Sequence, residues 1–211
     1  MPLSTQDAAD AFAQVLARAR RHDEEAVAAL YQRAMPTIYG YVWARSKRPD
    51  LAEDIVAEVF LTMVEAISDL RADHEAGFFA WLLRIAQGKI ARALQQVSQQ
   101  HQHQQAFPEN KTASTWPGAD LIATDLASDP EALQEWREVV HDLGVALGSL
   151  SDEQQIVIIG RFLAGQSIES LAQGLGKHPG AIRALQFRAL GTLAARMGQL
   201  RTPRHGKGGR A

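Results

Sequence analysis

The chain has 211 residues, 22 Lys and Arg against 24 Asp and Glu, 46% apolar residues and no cysteine. That length admits one or two domains with cores of their own. The missing thiols exclude disulfides, thiolate zinc sites and thiol redox sensing, and no apolar run reaches the roughly 20 residues of a membrane span. The opening stretch spreads Asp7, Asp10, Arg18 and Arg20 over an alanine-rich pattern. A secretory signal wants basic residues first and an unbroken apolar run after them, so the expectation is a cytoplasmic protein with no membrane anchor. Charge is uneven: residues 131–211 hold ten Lys and Arg against seven acids, and residues 1–96 hold eleven against thirteen.

Helical periodicity dominates, which predicts an all-α fold. Ile156-Val157-Ile158-Ile159 has strand composition but lies inside a helical frame. A first helix is expected over 6–20. A second covers 23–45, with Val27, Leu30, Tyr31, Ile38, Tyr41 and Val42 on a mixed apolar face; Pro36 inside it should kink or split it. Residues 50–68 form a third helix, where Asp50 and Glu53 have capping-box spacing. Leu51, Ile55, Val59 and Met63 line its core face. Ala57, Leu61 and Val64 point the other way beside Asp54, Glu58 and Glu65, and a helix apolar on two sides needs two neighbours. A fourth helix over 78–96 turns Phe78, Leu82, Ile85, Ala86 and Ile90 inward and Arg84, Gln87, Ala91, Arg92 and Gln95 outward. Trp81 reads as core.

Residues 95–105 are rich in Gln and His, and 106–128 carry Pro108, Pro117 and Gly118. A connection that long is uncommon inside one compact domain, so residues 97–129 read as a flexible linker between residues 1–96 and 130–200. His101 and His103 lack fixed partners, and no metal is expected. Helix resumes over 130–148 behind Asp129-Pro130. Ser151 and Gln154 form a capping-box pattern that opens the helix 151–164. Ser167 then caps a short helix, Gly174 and Gly176 bracket a tight turn, and Pro179 opens a longer helix with Ile182, Leu185, Ala189 and Leu193 on one face. Two short helices broken in this way are a helix-turn-helix, whose second helix enters the DNA major groove. Residues 201–211 read as a disordered basic tail.

Three ordered blocks resemble the sigma factors of bacterial RNA polymerase, of the small extracytoplasmic-function (ECF) type with two conserved domains. Asp50-Leu51-Ala52-Glu53-Asp54-Ile55-Val56-Ala57-Glu58-Val59-Phe60-Leu61 is similar to the family's core-binding helix. Phe79-Ala80-Trp81-Leu82-Leu83-Arg84-Ile85-Ala86 is similar to the start of its promoter-melting helix. The stretch from Leu150 to Leu193 is similar to its promoter-reading helix-turn-helix. The resemblance covers residues 24–96 and 131–197. It implies a transcription-initiation subunit with no catalytic residues and no cofactor. Its implied partners are core RNA polymerase, promoter DNA and an anti-sigma protein. The implied contacts are Asp50, Glu53, Asp54, Ala57, Glu58 and Leu61 for core polymerase. Arg84, Lys89 and Arg92 would serve the −10 element, and Lys177, His178, Gly180, Arg183 and Arg188 the −35 element. The loop from Arg71 to Gly77 lies where the family captures a flipped base.

The chain departs from the family pattern in places. Gln95 and Gln96 stand where a basic pair is usual, Gly88 and Arg92 where Asn and Asp are usual, Ser170 where Glu is common, and Phe187 where a polar or basic residue is usual. Two other functions fit parts of this pattern. A stand-alone helix-turn-helix regulator would not need the core-binding block. A sigma-like decoy that binds an anti-sigma protein and no DNA would fit Gln95 and Gln96 but not the intact recognition helix.

Overall fold

The structure is a computed structural model that describes residues 5–46, 48–103, 138–139 and 142–201. Among the described residues the helices named here follow in order: α1 (Thr5–Ala19), α2 (Glu24–Ser46), α3 (Pro49–Ala66), α4 (Glu75–His103), α5 (Asp152–Phe162), α6 (Ile168–Leu175) and α7 (Pro179–Arg201). A short 3₁₀ turn, Ile67–Asp69, follows α3, and residues 142–147 are helical ahead of α5. There is no strand among the described residues, and the Ile156–Ile159 run is helix, as its frame predicts.

The first four helices pack as a unit. The α1–α2 corner turns at His22, which takes a positive φ of 57°. Asp23 closes it, accepting from the Ala26 amide at 3.0 Å while Arg18 grips its carboxylate. The amide and then the arginine hold the Asp23 carboxyl below its usual range. α2 runs unbroken through Pro36, so the split that the proline could have caused does not occur. The physical reason is orientation: Pro36 and Gln32, one turn earlier, are both exposed, so the carbonyl that loses its amide partner faces water.

α3 also starts differently. Arg48 is its N-cap residue, Pro49 takes the first turn, and no side chain caps it. Asp50 is therefore already helical and cannot cap; its carboxylate pairs with Arg48 instead, which lowers its pKa. α4 begins at Glu75 because His74 caps it, its Nδ1 accepting from the Gly77 amide at 2.9 Å. It continues to His103, through the first residues of the predicted linker. The rest of that linker, the start of the next predicted helix up to residue 137, and the basic tail beyond Arg201 lie outside the described residues.

The second unit is α5, α6 and α7. Ser151 and Gln154 form the predicted capping box, and Val157, Leu171, Ala172, Ile182 and Leu185 make a small core. The larger core is shared by both units. Leu30, Ile38, Met63, Phe78 and Leu82 belong to the same buried cluster as Ala146, Leu150, Ile156, Ile159 and Ala189. The two helical domains expected from the sequence are present, and they are docked on one another through α4, which packs against both α5 and α6.

Candidate functional site

Two surfaces carry the candidate residues. The first is the outer side of α3. Its inner face is closed: Ala52, Ile55, Val59 and Met63 are at most 3% exposed. Asp54, Ala57 and Glu58 are exposed on the other side, and Leu61 and Val64 are open at 60% and 38%. Asp50 and Glu53 are also exposed. This is an apolar strip with an acidic rim, a composition that suits a protein partner: the apolar atoms supply burial, and the charges supply register.

The second surface is the helix-turn-helix. The Ser167 hydroxyl accepts from the Ser170 amide at 2.9 Å and shares a hydrogen bond with the Ser170 hydroxyl. α6 ends at Gly176 in the left-handed conformation, φ 61°. There the Lys177 amide donates to the Ala172 carbonyl at 2.8 Å and the Gly176 amide to Gln173. That pair of bonds is the Schellman closure that glycine permits. His178 caps α7 through its ring, with Nδ1 accepting from the Gly180 amide at 3.1 Å. The proton of a neutral ring therefore sits on Nε2, the atom left for a ligand. Ile182, Leu185 and Ala189 are buried, while Gly180, Arg183, Phe187 and Arg188 are exposed, Phe187 at 81%.

The predicted cations differ in what they already hold. Lys177 pairs with Glu153 at 3.0 Å and Arg183 with Glu169 at 3.2 Å. Lys89, expected on the −10 surface, pairs at 3.1 Å with Glu58, expected on the polymerase surface. Arg84, Arg92 and Arg188 are exposed and have no ion pair among the described residues. The structure thus groups the α3 residues on one face and the α6–α7 residues on another, and it couples Glu58 to Lys89 across the boundary. Trp81 is half-buried against the core with its ring tilted on Phe78, in keeping with a packing role. Among the described residues no group of His, Asp and Glu could hold a metal, and no helix is long and apolar enough to cross a membrane.

Sequence periodicity misses one positioning contact altogether. Arg20, at the end of α1, donates Nε to the Leu70 carbonyl at 2.8 Å and Nη2 to the Ala72 carbonyl. It pins the loop ahead of α4 from a point fifty residues earlier in the chain. An arginine after an amphipathic helix gives no hint of such a partner.

Family models for "Sigma-70 region 2" and "Sigma-70, region 4" match residues 30–99 and 146–195. The chain is 30% identical over 183 residues to the ECF RNA polymerase sigma factor BldN of Streptomyces coelicolor, covering 86% of this chain and 64% of that protein. It is 28% identical to SigD of Mycobacterium tuberculosis, covering 83% of this chain and 79% of that protein. It is 26% identical to SigX of Bacillus subtilis, covering 84% and 87%. Among solved structures, CnrH in complex with the cytosolic domain of CnrY aligns over 90% of this chain and 99% of its own with a TM-score of 0.55 at 20% identity, a likeness of fold.

Proposed function

We infer that this chain, which belongs to the extracytoplasmic-function group of the sigma-70 family, is a dissociable, non-catalytic subunit that binds core RNA polymerase and directs it to promoters. The observation that carries this reading is the exposed strip on α3. Ala57, Leu61 and Val64 stand open between Asp54 and Glu58 on a helix whose other face is completely packed. A stand-alone helix-turn-helix regulator has no use for such a strip, whereas a polymerase subunit needs one.

In this reading α3 docks on the polymerase. The exposed Arg84 and Arg92 of α4 meet the backbone of the opened −10 strand, where basic grooves hold unpaired DNA. α7 enters the major groove at the −35 element with Arg183 and Arg188 outward and Lys177, His178 and Gly180 at its start. CnrH is recorded with the cytosolic domain of CnrY bound, and an anti-sigma protein is the third proposed partner.

Run-off transcription with core enzyme and a panel of promoters tests the reading; no transcript above core alone would overturn it. The polymerase contact is separable. Asp54→Lys with Leu61→Ser changes two exposed residues and leaves the Glu58–Lys89 pair in place. It should abolish capture of core polymerase in a pull-down and leave helicity unchanged. Undiminished capture would remove α3 from the interface.

A further inference from the structure

We propose that Arg20 is a positioning residue for promoter opening. Its guanidinium, reaching across from the end of α1, fixes the loop ahead of α4 so that Arg71 and Asp73 stand outward as a pair. That pair selects one unpaired base of the opened −10 strand and favours a base with an amino group over thymine. The proposal rests on the promoter-directing reading above and deepens it by naming what holds the loop and what the loop selects.

The loop alternates. Leu70 is buried and Ala72 packs on the larger core, while Arg71 and Asp73 are exposed. Arg20 Nε donates to the Leu70 carbonyl at 2.8 Å and Nη2 to the Ala72 carbonyl, so one planar fork holds the backbone on both sides of Arg71. The far end of the loop is closed as well. His74 Nδ1 accepts from the Gly77 amide, and the Phe78 amide donates to the His74 carbonyl at 3.1 Å. A Cβ on Gly77 would lie 2.6 Å from the Ala72 Cβ and 2.8 Å from the His74 ring. Gly77 has no positive φ; its missing side chain lets the loop fold against the first turn of α4. Arg33 of α2 takes the next acid, Glu75, at 2.7 Å. Arg71 and Asp73 are left with no ion pair among the described residues.

The two outward side chains differ in kind. A guanidinium only donates and a carboxylate only accepts. The DNA backbone offers oxygen acceptors and no donor, so a phosphate would suit Arg71 and repel Asp73. The N–H donors of DNA are on its bases, and the amino groups belong to adenine, cytosine and guanine but not to thymine. Asp73 beside Arg71 therefore fits a base edge that sets an amino group next to an acceptor, and such edges are free of partners only in an opened strand. Arg20 directs its donors at neutral carbonyls and has no ion pair among the described residues, so its charge joins that of Arg71 in attracting the strand. Arg84 is exposed on the same helix, about 14 Å along α4 from its start at Glu75, so a strand held there needs only a few nucleotides to reach the loop. A loop already fixed in the free chain avoids the cost of ordering it at the moment of capture.

The test uses the full chain with core polymerase and labelled single strands carrying the −10 element, each base substituted in turn. The parent holoenzyme should bind about tenfold more weakly when thymine replaces an amino-bearing base at one position. Asp73→Asn, a change at an exposed residue, should shrink that difference severalfold, because its amide also donates to thymine carbonyls. Arg20→Met keeps the aliphatic stem, removes both donors, and should shrink the difference likewise with capture of core polymerase and helicity unchanged. Arg20→Met combined with Asp73→Asn should be no worse than Asp73→Asn alone, as expected of a residue that acts through another. Should Arg20→Met fail to fold, Arg20→Lys, which keeps the charge and loses the fork, takes its place with the same expectation. Undiminished preference in the Arg20 variant, or additive losses in the double variant, would overturn the proposal. A parent that drives run-off transcription but binds every strand alike removes the proposal alone, whereas a parent that binds no strand and gives no transcript removes the function and the proposal with it.

Discussion

Arg183 and Arg188 are both exposed on α7, about 140° apart around its axis, and enter any DNA contact from different starting points. Arg183 must give up Glu169, a pair exposed on both sides and so worth about 0.2–1 kcal/mol. Arg188 has no ion pair to break among the described residues. Arg183 is nearer the start of the helix, the end that reaches base edges. Arg183→Ala should therefore cost about 1–3 kcal/mol at one base position and relax preference there. Arg188→Ala should weaken all sequences alike and reduce the salt slope by about one. Binding titrations on a substituted −35 panel at several salt concentrations separate the two outcomes. Unchanged binding in both variants would count against α7 as the reader.

Tyr41 carries the residue-scale prediction for the docked core. Burial raises its pKa above the ordinary tyrosine value, against the opposing pull of Arg45. A raised folded-state value means that the neutral phenol stabilises the packed state fully below about pH 10, the ordinary value. That stability is lost as pH climbs through this value toward the folded one. Ultraviolet titration should show one tyrosine ionising late, together with a loss of tertiary packing. Tyr41→Phe should remove the late phase, leave the Gln155 carbonyl without its donor, and cost about 1–3 kcal/mol.

At the scale of elements, helix starts and stops were legible wherever the signal was local. Ser151, Ser167, Gly176 and Pro179 act where their residue types predict, because a cap or a left-handed turn is decided within one helical turn of sequence. Ser167→Ala should cost α6 about 1 kcal/mol. Gly176→Ala should cost about 1–2 kcal/mol through its left-handed φ. Both are measurable as shifts in chemical denaturation, and no shift in either would mean that α6 is held by packing alone. Asp50 was misleading because Pro49 starts the helix one residue earlier and turns a potential cap into a first-turn anion. The end of α4 was misleading because Gln and His between residues 95 and 103 read as linker composition, yet glutamine is a good helix former.

At the scale of the whole molecule, the sequence by itself determined the all-α class, the order of the helices, the two-unit plan, the helix-turn-helix and the outward strip of α3. These follow from periodicity, capping and turn chemistry, all of which act between residues a few positions apart. Only the tertiary structure decided which outward groups meet. Tyr41 and Gln155 are 114 positions apart, Arg20 and Leu70 are 50 apart, and Glu58 and Lys89 come from helices whose patterns suggested two different partners. Gly174 illustrates the division: its residue type read as part of the tight turn, but it lies inside α6 without a positive φ, and that its close neighbour is the start of α4 depends on how the two units dock. A helical wheel tells which side of a helix is buried or exposed. The neighbour on that side is set by packing between distant segments, and no spacing in the chain encodes it.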